Sequence, residues 1–128
     1  MANPITKNLK TGTLGELLVQ LRLLQYDVQA APPLKDSGND LIALRGPVVR
    51  TIQVRTTKTN QVPRRPPRAR LYDLLAVVWL KGEDRTLWLD QSRIFLVNKG
   101  DLASLASNWS ALQPFALSQA QVDKLFAG

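Results

Sequence analysis

Cysteine and histidine are both absent from this 128-residue chain. Their absence removes disulfides, zinc centres of the usual kind, Cys or Ser-His nucleophile systems and histidine acid-base chemistry. Any catalysis then falls to carboxylates, lysine, tyrosine or a hard metal ion held by oxygen. A chain without disulfides suits a reducing interior, and Met1 to Lys10 shows neither the apolar core nor the cleavage pattern of a signal segment, so the expected location is cytoplasmic. Long apolar runs are missing too. The longest, Leu74 to Leu80, is far too short to cross a bilayer as a helix, and no membrane partner is expected.

Acid is missing from one stretch in particular. The formal net charge is +7. From Arg50 to Arg70 the cations are Arg50, Arg55, Lys58, Arg64, Arg65, Arg68 and Arg70, with no Asp or Glu among them. Elsewhere basic and acidic residues balance, so the excess charge belongs to this segment. Such a stretch is a candidate binder of polyanions, nucleic acid first among them. The plainer alternative is a solvated basic loop that aids solubility.

One domain is expected over residues 1–128, since this length encloses a single core. Thr11 to Tyr26 carries Leu14, Leu17, Leu18, Leu21 and Leu24 at helical spacing, with Thr11 or Thr13 as N-cap and with Glu16 and Gln20 on a polar stripe beside the leucines. A short strand at Tyr26 to Ala30 precedes a loop through Pro32, Pro33 and Lys35 to Gly38. Thr59 to Ala69, rich in Pro and Arg, reads as an exposed basic loop at about residues 59–70. Leu71 to Leu80 is apolar on both faces from Leu74 onward, as in a central strand. Gly82 to Asp84 turns the chain, Thr86 to Leu89 returns as a strand, and Arg93 to Val97 forms another. Asp101 to Asn108 and Ser118 to Phe126 are expected helices, the second opened by Ser118 and Gln121 as a capping box. Trp79, Trp88 and Trp109 read as core or rim aromatics. The predicted architecture is α/β, a small mixed sheet flanked by helices.

The chemistry concentrates in two apolar segments. Asp40 opens Leu41 to Leu44, and Gln53 and Arg55 alternate on Val48 to Val54 and the residues after it, with Arg45-Gly46-Pro47 between as a turn. Paired as a hairpin, these strands put Gln53 and Arg55 on one face and bring Asp40 beside them in a suitable register. A carboxylate, an amide oxygen and a fixed cation at a sheet end are the materials of a metal-assisted phosphodiester site.

At these residues the chain resembles the PD-(D/E)XK nuclease superfamily, and within it the compact endonucleases that carry Gln for the second acid. Gly15-Glu16 corresponds to the family's helix Glu, Gly38-Asn39-Asp40-Leu41-Ile42-Ala43 to its motif Asp, and Gln53-Val54-Arg55-Thr56 to its (D/E/Q)-X-K strand. The likeness spans roughly the first 80 residues. It implies a restriction-endonuclease-like core, DNA as partner, hydrolysis of phosphodiester bonds, and Mg²⁺ as cofactor with Mn²⁺ as a substitute. It further implies Asp40, Gln53 and the Val54 carbonyl as metal ligands and Glu16 acting through water or orienting the site. Asn39 replaces a frequent Pro, Gln53 is neutral, and Arg55 stands where the family has Lys. Arg does not give up its proton near neutral pH, so Arg55 neutralises developing charge and cannot act as a base. Lys58 substitutes only if the strand bulges or ends at Thr56-Thr57, because an odd spacing from Arg55 otherwise sends it to the opposite face.

Arg64, Arg65, Arg68 and Arg70 are the expected phosphate contacts. Tyr72 and Asp73 follow them without an assigned role. A homodimer or higher homo-oligomer is expected, because one compact site addresses one strand of a duplex at a time. Two alternatives remain open: a catalytically impaired DNA-binding protein of the same fold, and a basic protein-interaction domain.

Overall fold

The computed structural model describes residues 4–34 and 40–128. The expected loop at Lys35 to Gly38 and the Gly38-Asn39 part of the motif lie outside the described residues, as do Met1 to Asn3.

Helix α1 spans Lys7–Gln25. It starts a turn earlier than predicted because Thr6, not Thr11 or Thr13, is the cap: its hydroxyl accepts a hydrogen bond from the Leu9 amide at 3.2 Å. At the other end Asp27 takes a left-handed conformation at φ 64°. The Val28 amide then reaches the Leu23 carbonyl and the Asp27 amide reaches that of Leu24, a reciprocal cap that turns the chain into the sheet.

Strands β1 (Gln29–Ala31), β2 (Leu41–Arg45), β3 (Val48–Thr57), β4 (Leu74–Trp79) and β7 (Arg93–Asn98) make one five-stranded mixed sheet in the order β1-β2-β3-β4-β7. A two-residue turn, Gly46-Pro47, joins β2 to β3 with Gly46 at φ 57°. The pairs Arg45↔Val48 and Leu41↔Ile52 follow from it. β3 and β4 are parallel and joined by residues 58–73, the basic loop, while β7 returns antiparallel to β4. The predicted strand at Thr86 to Leu89 is not part of this sheet. Only Gly82–Glu83 (β5) and Thr86–Leu87 (β6) pair, as a small separate hairpin. Likewise the helix expected at Asp101 to Asn108 is a 3₁₀ turn over Lys99–Ser104, followed by a short helix α2 at Trp109–Leu112. Asn98 and Asn108 each cap a following amide, splitting the segment in two.

Both faces of the sheet carry a core. On one side α1 and α3 (Gln119–Leu125) pack with Leu18, Val19 and Leu23 against Ile52, Val54, Ala76 and Leu96. On the other, the 99–116 segment covers Leu75, Val77, Phe95 and Val97. Ser118 caps α3 as predicted. The Gln121 side chain, however, does not return to it, and donates to the buried Leu96 carbonyl instead. The basic segment is also partly spent on structure. Arg50 donates to the Leu125 and Ala127 carbonyls, where a cation suits a helix end, and just ahead of the segment Arg45 pairs with Asp123 at 2.7 Å. No helix among the described residues is long and apolar enough to cross a membrane.

Candidate functional site

Two strands of unequal length create the site. β2 begins at Leu41 opposite Ile52, whereas β3 continues to Thr57. Beyond Ile52, therefore, β3 is bonded to β4 on one side and leaves its other edge open. Ile52 directs its carbonyl to that edge, where it accepts from the Asp40 amide. Alternation directs the peptide groups of Val54 and Thr56 the same way.

Asp40 sits in the opening. One carboxylate oxygen, Oδ2, accepts from the Val54 amide at 2.8 Å and from Gln53 Nε2 at 2.9 Å. Gln53 is 3 % exposed, and its Oε1 has no hydrogen-bond partner. Arg55 Nε and Thr56 Oγ1 are buried without partners as well. Buried polar atoms are rarely left so, and here three of them fall within four residues of one strand, beside a carboxylate.

Glu16 arrives from the other side of the sheet. By alternation Gln53 and Arg55 face the Leu75 and Val77 side, while Val54 and Thr56 face α1. The two groups still meet, because the sheet has no β2 here to separate them. Glu16, Val54, Arg55, Thr56 and Arg64 line one open cleft of about 350 Å³ together with Asn8, Thr11 and Gly12. Burial, and then the negative charge of Asp40, push the Glu16 carboxyl above the usual carboxylate range. The folded chain thus holds this proton more tightly than the unfolded chain. Stability contributed by the protonated form is lost as pH rises through the folded pKa. In metal-free buffer, Glu16→Gln is expected to be less sensitive to that rise and the more stable protein above it. Urea unfolding from about pH 4 to 8 measures this, and parallel pH profiles for the two proteins would contradict it.

The approach of α1 is set by Gly15. A Cβ at that position would lie 1.8 Å from Thr56 Oγ1 and 2.8 Å from Thr56 Cβ. Only glycine lets the helix backbone come this near, and the next residue is Glu16.

Two of the predicted residues lie elsewhere or have other work. β3 stays regular through Thr57, so Lys58 leaves toward the α1 side and lines a separate cleft with Lys10, Lys81 and Arg85. It does not stand in for a lysine at position 55. Arg65 donates through both terminal nitrogens to the Leu102 and Leu105 carbonyls, at 2.6 Å for the first. That fork holds the loop down and leaves Arg64, Arg68 and Arg70 exposed. The Arg70 carbonyl in turn accepts from Lys99. The loop predicted to be wholly exposed is in fact anchored, with Pro66 buried and Trp109 donating to the Asn60 carbonyl.

One cleft residue and an aromatic neighbourhood escaped the sequence pattern. Asn8 belongs to the cleft because the helix begins at Lys7, for which Thr6 was the available signal. Tyr72 is 7 % exposed, and burial pushes its phenol above the usual range against the opposing pull of the Arg55 and Arg65 charges. Trp79 stacks on Trp109 with ring centres 4.3 Å apart and carries Lys81 over its other side, a rim arrangement.

Asp40, Glu16, the Gln53 amide and the Val54 carbonyl would offer a metal only oxygen, and no cluster of three or more His, Cys, Asp or Glu exists among the described residues. The partnerless Gln53 oxygen beside Asp40 fits a hard cation that keeps several waters.

Comparison with protein-family models finds no match, and neither does comparison with curated proteins. Among solved structures the chain is similar to a bacterial homing endonuclease, I-Ssp6803I, with a TM-score of 0.54 and 18 % identity over 80 % of this chain and 72 % of that one. At that identity the likeness is one of fold. The chain is a mixed α/β protein with a nuclease-like fold.

Proposed function

We propose that this protein is a Mg²⁺-dependent endonuclease that hydrolyses phosphodiester bonds of DNA, and that the PD-(D/E)XK resemblance extends to its site. The observation that carries the proposal is the cluster at the open edge of β3: Asp40 bonded to Gln53 and Val54, Glu16 close enough to feel its charge, and partnerless polar atoms on Gln53, Arg55 and Thr56. The nuclease-like fold and the excess positive charge support DNA as the partner.

Asp40, Gln53 Oε1 and the Val54 carbonyl would hold Mg²⁺, or Mn²⁺ in its place, with Glu16 reaching it through water. Bound there, the ion supplies polarisation of a phosphoryl oxygen and a lowered pKa for the attacking water. The Val54 amide and Gln53 hold the Asp40 carboxylate in one orientation before any ligand arrives. Arg55 offers a permanent cation to the charge that builds on phosphorus oxygens. Arg64, on the same cleft, and Arg68 and Arg70 beyond it contact neighbouring phosphates. Arg65 contributes by fixing the loop that carries them. Cutting both strands calls for a symmetric homodimer. Leu17, Leu21 and Leu24, exposed at 53, 44 and 60 % in a row on α1, offer an apolar face for it.

Nicking of supercoiled DNA in Mg²⁺ or Mn²⁺, absent with a chelator, is the expected behaviour. Arg55→Lys preserves or raises the rate, since it restores a residue able to release a proton. A fall would contradict the role given to position 55. Arg64→Ala weakens duplex binding several-fold and reduces the slope of log affinity against log salt by about one, as loss of one phosphate contact does. Arginine at position 55 also favours a second reading, a DNA-binding protein that does not cleave. In that case calorimetry with Mn²⁺ gives the same negligible heat for wild type and Asp40→Ala, and no nicking is seen with either metal.

A further inference from the structure

A second cavity, of about 530 Å³, opens under the crossover loop on the face of the sheet opposite α1. Its apolar wall is Pro66, Leu102, Ala103 and the Tyr72 ring, and its cations are Arg65, Arg68 and Lys99, with no acid lining it. Arg65 is locked by the Leu102 and Leu105 carbonyls, and Lys99 lies over the Tyr72 ring, 4.5 Å from its centre. Arg68 is exposed at the mouth. Pro63 and Arg64 line the Glu16 cleft and Arg65 and Pro66 line this cavity, so four consecutive residues of the crossover loop join the two openings.

Such a cavity is within the size range of small-ligand sites. A lone phosphate would use the cations and leave the apolar wall idle, and an apolar side chain would do the reverse. A nucleotide satisfies both, its base against Pro66 and Leu102 and its phosphate on Arg68 and Lys99. In a fully paired duplex the bases are stacked inside and do not reach the wall.

We propose that this cavity receives one unpaired nucleotide of the DNA bound at the Asp40 cleft, so that the protein favours DNA carrying an unpaired base over fully paired duplex. The proposal rests on the reading of the chain as a DNA-acting protein.

Anisotropy titrations in metal-free buffer with a short duplex, and with the same duplex carrying a single extra thymidine, test it. Wild type is expected to bind the bulged duplex about tenfold more tightly, the scale of one stacked base. Ala103→Phe fills the cavity from an exposed position and should bring the two affinities within about twofold of each other. Arg68→Ala should reduce the preference less. Because each protein is compared with itself, a general change in folding or charge cancels. Equal binding of the two duplexes by wild type, or a preference that survives Ala103→Phe, overturns the cavity's role and leaves the DNA reading standing. Binding of neither duplex overturns both.

Discussion

Asp40→Ala is expected to abolish the proposed metal-dependent nicking, with a loss of at least about 1000-fold, the several kcal/mol that a correctly held metal ion contributes to phosphoryl chemistry. The argument is geometric. Asp40 is the carboxylate that the open edge of β3 is built around, gripped by the Val54 amide at 2.8 Å and the Gln53 amide at 2.9 Å. Gln53 is neutral, and Glu16 carries a raised pKa. Asp40 is therefore the carboxylate that the edge of β3 itself holds in place for a cation. Its removal also strands the Val54 N–H and the Gln53 side chain, so a stability loss of about 1–3 kcal/mol should accompany it. Asp40→Asn separates the two effects, since it keeps an oxygen acceptor while removing the charge. The outcome expected is lost nicking in both variants, unchanged or tighter DNA binding, and a near-normal melting temperature in the second. Nicking that survives Asp40→Asn at the wild-type rate would place the chemistry elsewhere.

Gly15→Ala is the second large effect, and it acts on the fold. The added methyl would meet the Thr56 side chain at 1.8 to 2.9 Å, and two of the three atoms struck are carbons close to the strand backbone. Alanine is the better helix former by about 1 kcal/mol, so propensity alone predicts stabilisation. Overpacking of this kind costs about 1–3 kcal/mol and sometimes more. The clash should win, leaving a net loss of about 1 kcal/mol in urea unfolding. Thr56→Ala removes the struck Oγ1 and Cγ2, so the double variant recovers a good part of the loss, a coupling that additive variants would not show. The same tilt of α1 carries Glu16 away from Asp40, and nicking should fall in Gly15→Ala even at temperatures where it is fully folded. A variant as stable as wild type would mean that α1 does not lie this close to β3.

The course of α1 shows how far the sequence goes. Leu14, Leu17, Leu18, Leu21 and Leu24 describe one apolar stripe, and Gly15, Leu18, Val19 and Leu23 describe another, turned by about one residue. Periodicity favours the leucines. The structure buries the second stripe, because only it puts a glycine against Thr56, and Leu17, Leu21 and Leu24 are left outside. Hydrophobic content marked the helix, and contact with β3 chose its face. Similarly, nothing local distinguishes a return strand at Thr86 to Leu89 from the small hairpin that forms. Arg93–Asn98 occupies the place beside β4, and β4, paired on both sides, has no edge left for a second partner.

The sequence by itself determined the mixed α/β class, the β2–β3 hairpin, the Ser118 cap and the location of the excess charge, while the register of the hairpin came from the structure. What it determined rests on short-range rules: alternation, a two-residue turn, a side chain reaching an amide three residues on, and a count of charges. Tertiary structure decided which cations are free. Arg50 and Arg65 are consumed by carbonyls distant in sequence, Lys58 departs with the end of β3, and Arg64, Arg68 and Arg70 remain exposed. It also decided that Glu16 and Arg55, from opposite sides of the sheet, line one cleft. That meeting depends on β2 stopping at Leu41 while β3 runs on, a difference in strand length that becomes a cleft only when a helix is laid across it.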